Sequence, residues 1–382
     1  MMRVGRDLHL LRGKPEGVRT VMGAQLLEIR RQVLPGEEEH LLYSHQPDET
    51  AAWLGGQPFV HRRLPGGGPV LRRVGSFALA QRRDRLDAFH ADFTLPLLNA
   101  CPTVVTVHDA LIHSHPQFFP RSWAYYYGPL LRVSVRLATL IVTDCEYTRG
   151  EISSRYSIDR ERVRVVPCGV DRDFFSRVDD PDRRRKLVDR YGLPERFVVH
   201  VGRIDPRKNL PGLIRAMALY RQRRKSEVAL VLAGPAWTDE AMKAVMQAVE
   251  ESRMQAATHV LGAVPTEDLP TLYSLASAMA FPSYAEGFGL PVLEAMSCGT
   301  PVVCSNATCL PEVCGDAALG FAPDDVEQMA SCLEMALEDA ARRTELVSRG
   351  HERAALFTWE RSVRLLRQVY RELAEGKRAD RL

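Results

Sequence analysis

Short apolar runs alternate with amphipathic stretches along nearly the whole chain, and this alternation limits the fold to βα units built on parallel sheets. In the first half, Arg3–Leu10, Thr103–Val107, Thr139–Thr143 and Val163–Val166 read as strands, and Thr20–Val33, Arg121–Ala138 and Tyr147–Tyr156 as helices. In the second half the expected strands are Phe197–Val201, Val228–Ala233, His259–Leu261, Ala278–Phe281 and Pro301–Cys304. Helices are expected between them at Leu210–Gln222, Asp239–Arg253, Thr266–Leu275 and Leu290–Ser297. A chain of 382 residues exceeds the size at which one core stops growing, so two α/β domains are expected. The polar stretch Ser176–Arg190, with its single proline, suits an exposed connection between them. The division read from the sequence is 1–175, 176–357 and a terminal helical segment 358–382. Ligands of such sheets bind outside the carboxyl ends of the strands, in a cleft between the two sets.

Composition narrows the function classes. A net charge of +3 is too small to argue for nucleic acid. Arginine pairs at Arg30-Arg31, Arg62-Arg63, Arg72-Arg73 and Arg82-Arg83 read as solvated faces, the sharper alternative being a basic face toward anionic lipid or a phosphorylated acceptor. The eight cysteines include no C-x-x-C pair, which speaks against zinc and for reduced, mostly buried thiols in a cytoplasmic protein. No amino-terminal stretch follows the plan of a signal peptide, and no apolar run approaches the ~20 residues that span a bilayer. Any membrane contact is therefore expected to be peripheral.

The stretch Glu286-Gly-Phe-Gly-Leu-Pro-Val-Leu-Glu294 sets two carboxylates around a glycine-flanked turn that opens a helix. Gly287 and Gly289 leave the backbone bare, so that N–H groups near Phe288 and Leu290 can face an anion, and Pro291 falls where a first turn tolerates it. Each carboxylate accepts two hydrogen bonds, which suits adjacent hydroxyls of a sugar or a ribose. Upstream, Gly202-Arg203-Ile-Asp-Pro-Arg-Lys208-Asn209 directly follows a strand and puts cations at its end, where Arg203 and Lys208 can neutralise a departing diphosphate. Arg207, the third cation, reads as surface. His108-Asp109 ends another strand, where a neutral imidazole can hydrogen-bond a hydroxyl and Asp109 can orient it or meet an acceptor. His113 and His115 read as loop histidines, and Asp171-Arg-Asp173 as a turn.

These elements together resemble the retaining glycosyltransferases of family 4 (group 1), and the wording of GFGLPVLEAMSCGTPVV and of His108-Asp-Ala-Leu-Ile is most like bacterial mannosyl- and rhamnosyl-type members. Cys145-Glu-Tyr-Thr-Arg149 and Val166-Pro-Cys-Gly-Val-Asp171 resemble two further family elements, with Cys168 where asparagine is usual. The resemblance implies the GT-B arrangement, two Rossmann-like domains with parallel sheets facing a central cleft, and a terminal helix that returns to the first domain. It also implies transfer of a sugar from a nucleotide-sugar donor with retention of configuration, without cofactor or divalent metal. Glu286 would then bind the transferred sugar, Glu294 the ribose, Arg203 and Lys208 the diphosphate, and His108 the donor sugar or acceptor, with Gly202 and the backbone of Gly287–Leu290 assisting. The donor first expected is GDP-mannose, with a UDP-sugar next, and the acceptor a glycan or polyprenyl-linked glycan of cell-surface polysaccharide. The amino-terminal loop departs from the family, since Glu16-Gly17-Val18-Arg19-Thr20 keeps one of two usual glycines, and Gly17 is the expected point of acceptor contact. Two other classes compete with this reading. A nucleotide-sugar epimerase would lack the Arg203/Lys208 pair with two spaced glutamates, and a non-catalytic sugar-nucleotide binder would be free to lose part of the set.

Overall fold

The structure, a computed structural model, describes residues 1–9, 16–54, 58–64 and 72–379. It divides into two compact units, one of Met1–Gly169 with Trp359–Leu382 and one of Val170–Thr358. In the first unit the strands are β1 (Met2–Asp7), β2 (Glu38–Ser44), β3 (Phe59–Arg63), β4 (Ala88–Asp92), β5 (Thr103–Thr106), β6 (Leu140–Thr143) and β7 (Val163–Val165). They form one parallel sheet in the order β3-β2-β1-β4-β5-β6-β7. The second unit holds β8 (Phe197–Val201), β9 (Ala229–Ala233), β10 (Thr258–Gly262), β11 (Ala278–Phe281), β12 (Val302–Ser305) and β13 (Ala318–Phe321), ordered β10-β9-β8-β11-β12-β13. Each sheet reverses its strand order once, between β1 and β4 and between β8 and β11, and such a reversal opens a crevice at the carboxyl ends of the strands.

Most of the second sheet was legible because β8, β9, β11 and β12 are buried on both faces and read as largely apolar runs, while the partly exposed β13 escaped the reading. The first was not. Strands β2, β3 and β4 escaped the sequence reading because polar groups stand inside them: Glu38 and His40 in β2 and His90 and Asp92 in β4 are buried, and β3 carries His61, Arg62 and Arg63. Buried polar groups of this sheet, Arg6 of β1 included, are met by the helices that cover it and by a neighbouring strand. Arg6 Nη2 donates to Gln25 Oε1 at 2.6 Å, Arg367 Nε donates to Glu38 Oε1 at 3.0 Å, and the His90 ring bridges Thr106 Oγ1 and the Tyr370 hydroxyl, both at 2.6 Å. Burial pushes the His90 imidazole down to about 3, so it bridges as a neutral ring. Tyr370 and Arg367 belong to the terminal helix Trp359–Ala379, whose Leu366, Val369, Tyr370 and Leu373 pack with Met2, Val4, Ala88 and Val104.

Three expectations of local structure are corrected. Ser176–Arg190 is not a bare connection, because most of it forms the helix Pro181–Tyr191 inside the second unit. Asp180 caps the N–H groups of Asp182 and Arg183, the single proline occupies the first turn, Leu187 is buried, and Gly192 closes the helix at φ +59°. The unit boundary falls at Gly169/Val170 instead of 175/176, with Phe175 buried and its carbonyl accepting from Ser297 Oγ at 2.5 Å. The first helix starts at Glu16, four residues before Thr20, so Gly17 stands exposed in its first turn. Leu10, expected in the first strand, lies outside the described residues.

Candidate active site

In the second unit the chain leaves β8 through Gly202 at φ +149°, beside Gly234 at φ +155° at the end of β9. A side chain on Gly234 would come within 2.0 Å of the Gly202 carbonyl oxygen, so the two glycines let these strand ends pass in contact. Asp205 then caps the turn Pro206–Lys208, accepting the Arg207 N–H at 2.9 Å, and Asn209 at φ +49° donates to the Pro323 carbonyl at 2.7 Å. The turn delivers two cations to one carboxylate. Lys208 Nζ lies 2.6 Å from Glu286 Oε1, and Arg207 Nη1 lies 2.9 Å from Glu286 Oε2 and 2.8 Å from the Ala285 carbonyl.

Lys208 and Glu286 are both buried, and Nζ also stands 4.7 Å from the centre of the Phe281 ring. Burial alone would raise the Glu286 carboxyl, but the charges of Arg207 and Lys208 outweigh it and hold the group at about 2. Burial lowers Lys208 from the ordinary lysine range, and Glu286 opposes that shift. The pair is therefore ionic, with Arg207 completing it. Arg207 is thus no surface cation, and the sequence reading of it is corrected. Its signal was faint, a cation two positions after a capping aspartate. Arg203 is held differently, half-exposed, with its guanidinium 5.0 Å over the Trp237 ring and 3.7 Å from Asp205.

The turn before the helix Leu290–Ser297 is fixed from beneath. The Glu286 N–H donates to Thr308 Oγ1 at 3.0 Å, and the Cys309 thiol donates to the carbonyls of Glu286 and Phe288, each at 3.3 Å. Gly289 adopts φ +104°, and a side chain there would meet Leu310 at 2.8 Å. Phe288 is buried edge-on against Phe357, while Gly287 and Leu290 stay partly open. One helical stretch later, Glu294 accepts from the Tyr273 hydroxyl at 2.9 Å. Burial pushes its carboxyl up to about 7, with the tyrosine hydrogen bond opposing. The two glutamates of the motif are thus driven apart, one locked as a carboxylate and one poised near neutrality.

In the first unit, His108 follows β5 and is buried between two carboxylates, Asp144 Oδ2 at 2.8 Å from Nδ1 and Asp92 Oδ1 at 3.4 Å from Nε2. Burial opposes charging the ring, but the two aspartates prevail and raise it to about 10. His108 is an imidazolium, not the neutral tautomer expected from sequence, and the carboxylates that hold it are Asp144 and Asp92. Asp109 instead accepts the Leu111 N–H at 3.0 Å at the start of a short helix. Asp92 and Asp144 were missed, although each sits at the carboxyl end of a strand in the same sheet as His108. The Cys168 thiol lies against Asp144, where burial and that carboxylate raise it well above the ordinary thiol range. His113 meets the Gly128 carbonyl at 3.3 Å, and Asp171 accepts the N–H groups of Asp173 and Phe174, both as structural contacts.

The raised pKa carries a stability consequence. The His108 pairing contributes fully below the unfolded imidazole value of about 6.5 and is lost as pH rises through about 10. Asp144→Asn is expected to cost about 1–3 kcal/mol at pH 7 and to flatten the decline in stability between pH 7 and 10. Urea unfolding at several pH values reads both effects, and an unchanged pH profile would remove the ion pair.

Residues 184–353 match the family described as Glycosyl transferases group 1, and residues 33–174 match Glycosyltransferase Family 4. The chain is 36% identical over 259 residues to the O-antigen chain mannosyltransferase B of Escherichia coli, covering 67% of each chain. It is 31% identical over 226 residues to the serotype-specific mannosyltransferase WbdA of Escherichia coli, of whose length that match spans 28%. Among solved structures it resembles the sucrose-phosphate synthase of Thermosynechococcus elongatus with a TM-score of 0.76 at 20% identity, over 98% of this chain and 100% of that one. Anabaena Alr3699/HepE, solved in complex with UDP and glucose, matches with the same TM-score of 0.76 and 20% identity, over 98% and 100%. With two Rossmann-like parallel sheets and these matches, the chain belongs to the group 1 glycosyltransferases of family 4 and carries the GT-B fold.

Proposed function

We propose that the chain moves mannose from GDP-mannose, with retention of configuration, onto a glycan or polyprenyl-linked acceptor in cell-surface polysaccharide synthesis. The observation that carries this reading is the buried Lys208–Glu286 ion pair under a glycine turn, with Arg207 and Arg203 on the same strand end. The mannosyltransferases among the relatives support the choice of sugar.

In this reading the diphosphate lies beside Gly202 and against Lys208, which Glu286 holds in place, while Arg203 meets it from the Trp237 platform. Arg207 remains on Glu286 and keeps it a carboxylate, free to accept hydrogen bonds from the sugar hydroxyls. Glu294 takes the ribose hydroxyls, and the backbone of Gly287, Phe288, Gly289 and Leu290 faces the sugar and phosphate. As the sugar–phosphate bond breaks, negative charge grows on the diphosphate, and the fixed cations stabilise it most at that moment. The departing phosphate takes the acceptor proton on the same face, which gives retention without a carboxylate nucleophile. His108, held between Asp92 and Asp144, is assigned to the donor sugar or acceptor, and Gly17 and Asp109 to the acceptor side. No divalent metal is given a role.

A thermal-shift screen against GDP-, UDP-, ADP- and dTDP-sugars tests the donor, since a ligand at a hundred times its Kd adds about 2.7 kcal/mol to stability. GDP-mannose is expected to give the largest shift, and a larger shift with a UDP-sugar would replace it. Arg207→Gln is expected to lower turnover about tenfold with nucleotide inhibition changed less than twofold, and Arg207→Lys to recover part of the loss. Equal turnover in Arg207→Gln would leave Glu286 dependent on Lys208 alone.

A further inference from the structure

His200, the fourth residue of β8, is fully buried. Its ring lies at the end of β11, stacked on Phe281 with centres 5.7 Å apart and planes 20° from parallel. Nδ1 stands 3.0 Å from the Ala280 carbonyl oxygen, which can only accept, so Nδ1 carries the proton of the neutral ring. That tautomer leaves Nε2 a bare lone pair, and Nε2 has no hydrogen-bond partner among the described residues. A buried acceptor without a donor is uncommon and calls for a reason. Gly202 follows two positions on, and a Cβ there would stand 3.3 Å from His200 Nε2 and 3.7 Å from Lys208 Nζ. The missing side chain therefore leaves a notch bordered by two nitrogens, one of them already a cation. Lys208 and Glu286 are the charged groups that act on the ring, with Arg207 and Asp205 beyond them, 3.7 Å apart. Burial first, and then the charge of Lys208, push the imidazole down to about 4, with the Ala280 hydrogen bond and Glu286 opposing.

We propose, on the reading that a diphosphate lies beside Gly202, that one of its oxygens occupies this notch and that His200 takes up a proton from solvent to hold it. A neutral Nε2 could only repel such an oxygen, since both would present lone pairs. The negative charge of a diphosphate against the ring outweighs the single charge of Lys208 and favours the protonated form. The new N–H bond forms at Nε2, the Nδ1 bond to Ala280 is kept, and the proton returns to solvent when the nucleotide leaves. His200 thus becomes a second charged donor to the phosphate, beside Lys208, only while the anion is present. The empty pocket is spared a second buried cation next to the first, which would be costly without a partner.

Titration calorimetry of the full chain with GDP, run from pH 5 to 8 in buffers of different ionisation enthalpy, counts the protons exchanged on binding. Protons released by Glu294 or by GDP itself are common to every variant and cancel in the comparison. Near pH 6 the unsubstituted chain is expected to take up about one proton more per GDP than His200→Phe, which keeps an aromatic ring on Phe281 and removes both nitrogens. His200→Phe is also expected to bind GDP roughly tenfold more weakly there, the scale of one hydrogen bond to a charged group. His200→Gln, which keeps a side-chain donor that does not titrate, is expected to recover part of that affinity and to show no extra uptake. Equal proton counts in the unsubstituted chain and His200→Gln would overturn the role of His200 and leave the diphosphate reading intact. Absence of GDP binding in the unsubstituted chain would overturn both.

Discussion

Lys208→Ala is expected to lower turnover by roughly 10²–10³-fold while the donor KM changes by only a few-fold. Its ammonium is buried, fixed at 2.6 Å from Glu286, and close to the end of β8 where a diphosphate would lie. A cation already desolvated and aimed stabilises developing charge without reorganising at the moment of reaction. Ground-state binding suffers less, because Arg203 remains and Arg207 keeps Glu286 ionised. Lys208→Arg is expected to recover little, since the slot beside Phe281 fits a point charge better than a planar fork. Steady-state kinetics with saturating acceptor separates the two parameters. Wild-type turnover in Lys208→Ala would remove the lysine from the chemistry.

Glu294→Ala is expected to raise the donor KM by roughly 10–100-fold with turnover nearly kept, the scale of one or two hydrogen bonds to a charged group. The carboxyl sits at about 7, so near neutral pH only part of the population is the carboxylate that a ribose prefers. Donor affinity is therefore expected to rise as pH increases through about 7, and binding at pH 7 to release protons. In Glu294→Gln both effects should vanish. A donor affinity independent of pH between 6 and 8 in the unsubstituted chain would place Glu294 away from the ribose.

How much of this was readable depends on which forces wrote it. Most of the second sheet and the turn Glu286–Gly289 were legible because backbone demands and apolar runs leave local marks: glycines at positive φ, a proline in a first turn, strands buried on both faces. Arg207 was not, because its importance comes from a partner 79 positions away that only the folded chain brings to 2.9 Å. The same holds for His108, whose charge follows from Asp92 and Asp144 on neighbouring strand ends. Strands β2 and β4 were hidden by buried histidines and carboxylates whose partners come from the terminal helix and a neighbouring strand. The helix Pro181–Tyr191 was misread because its charged surface outweighed a clear capping aspartate and a closing glycine.

Transfer with retention from GDP-mannose is tested most directly by proton NMR of the reaction in progress, with the full chain, GDP-mannose and a mannose-terminated glycan acceptor. Release of GDP together with a first-formed α-mannoside is the expected result. A β-mannoside, or consumption of a different nucleotide-sugar under the same conditions while GDP-mannose stays intact, would contradict it.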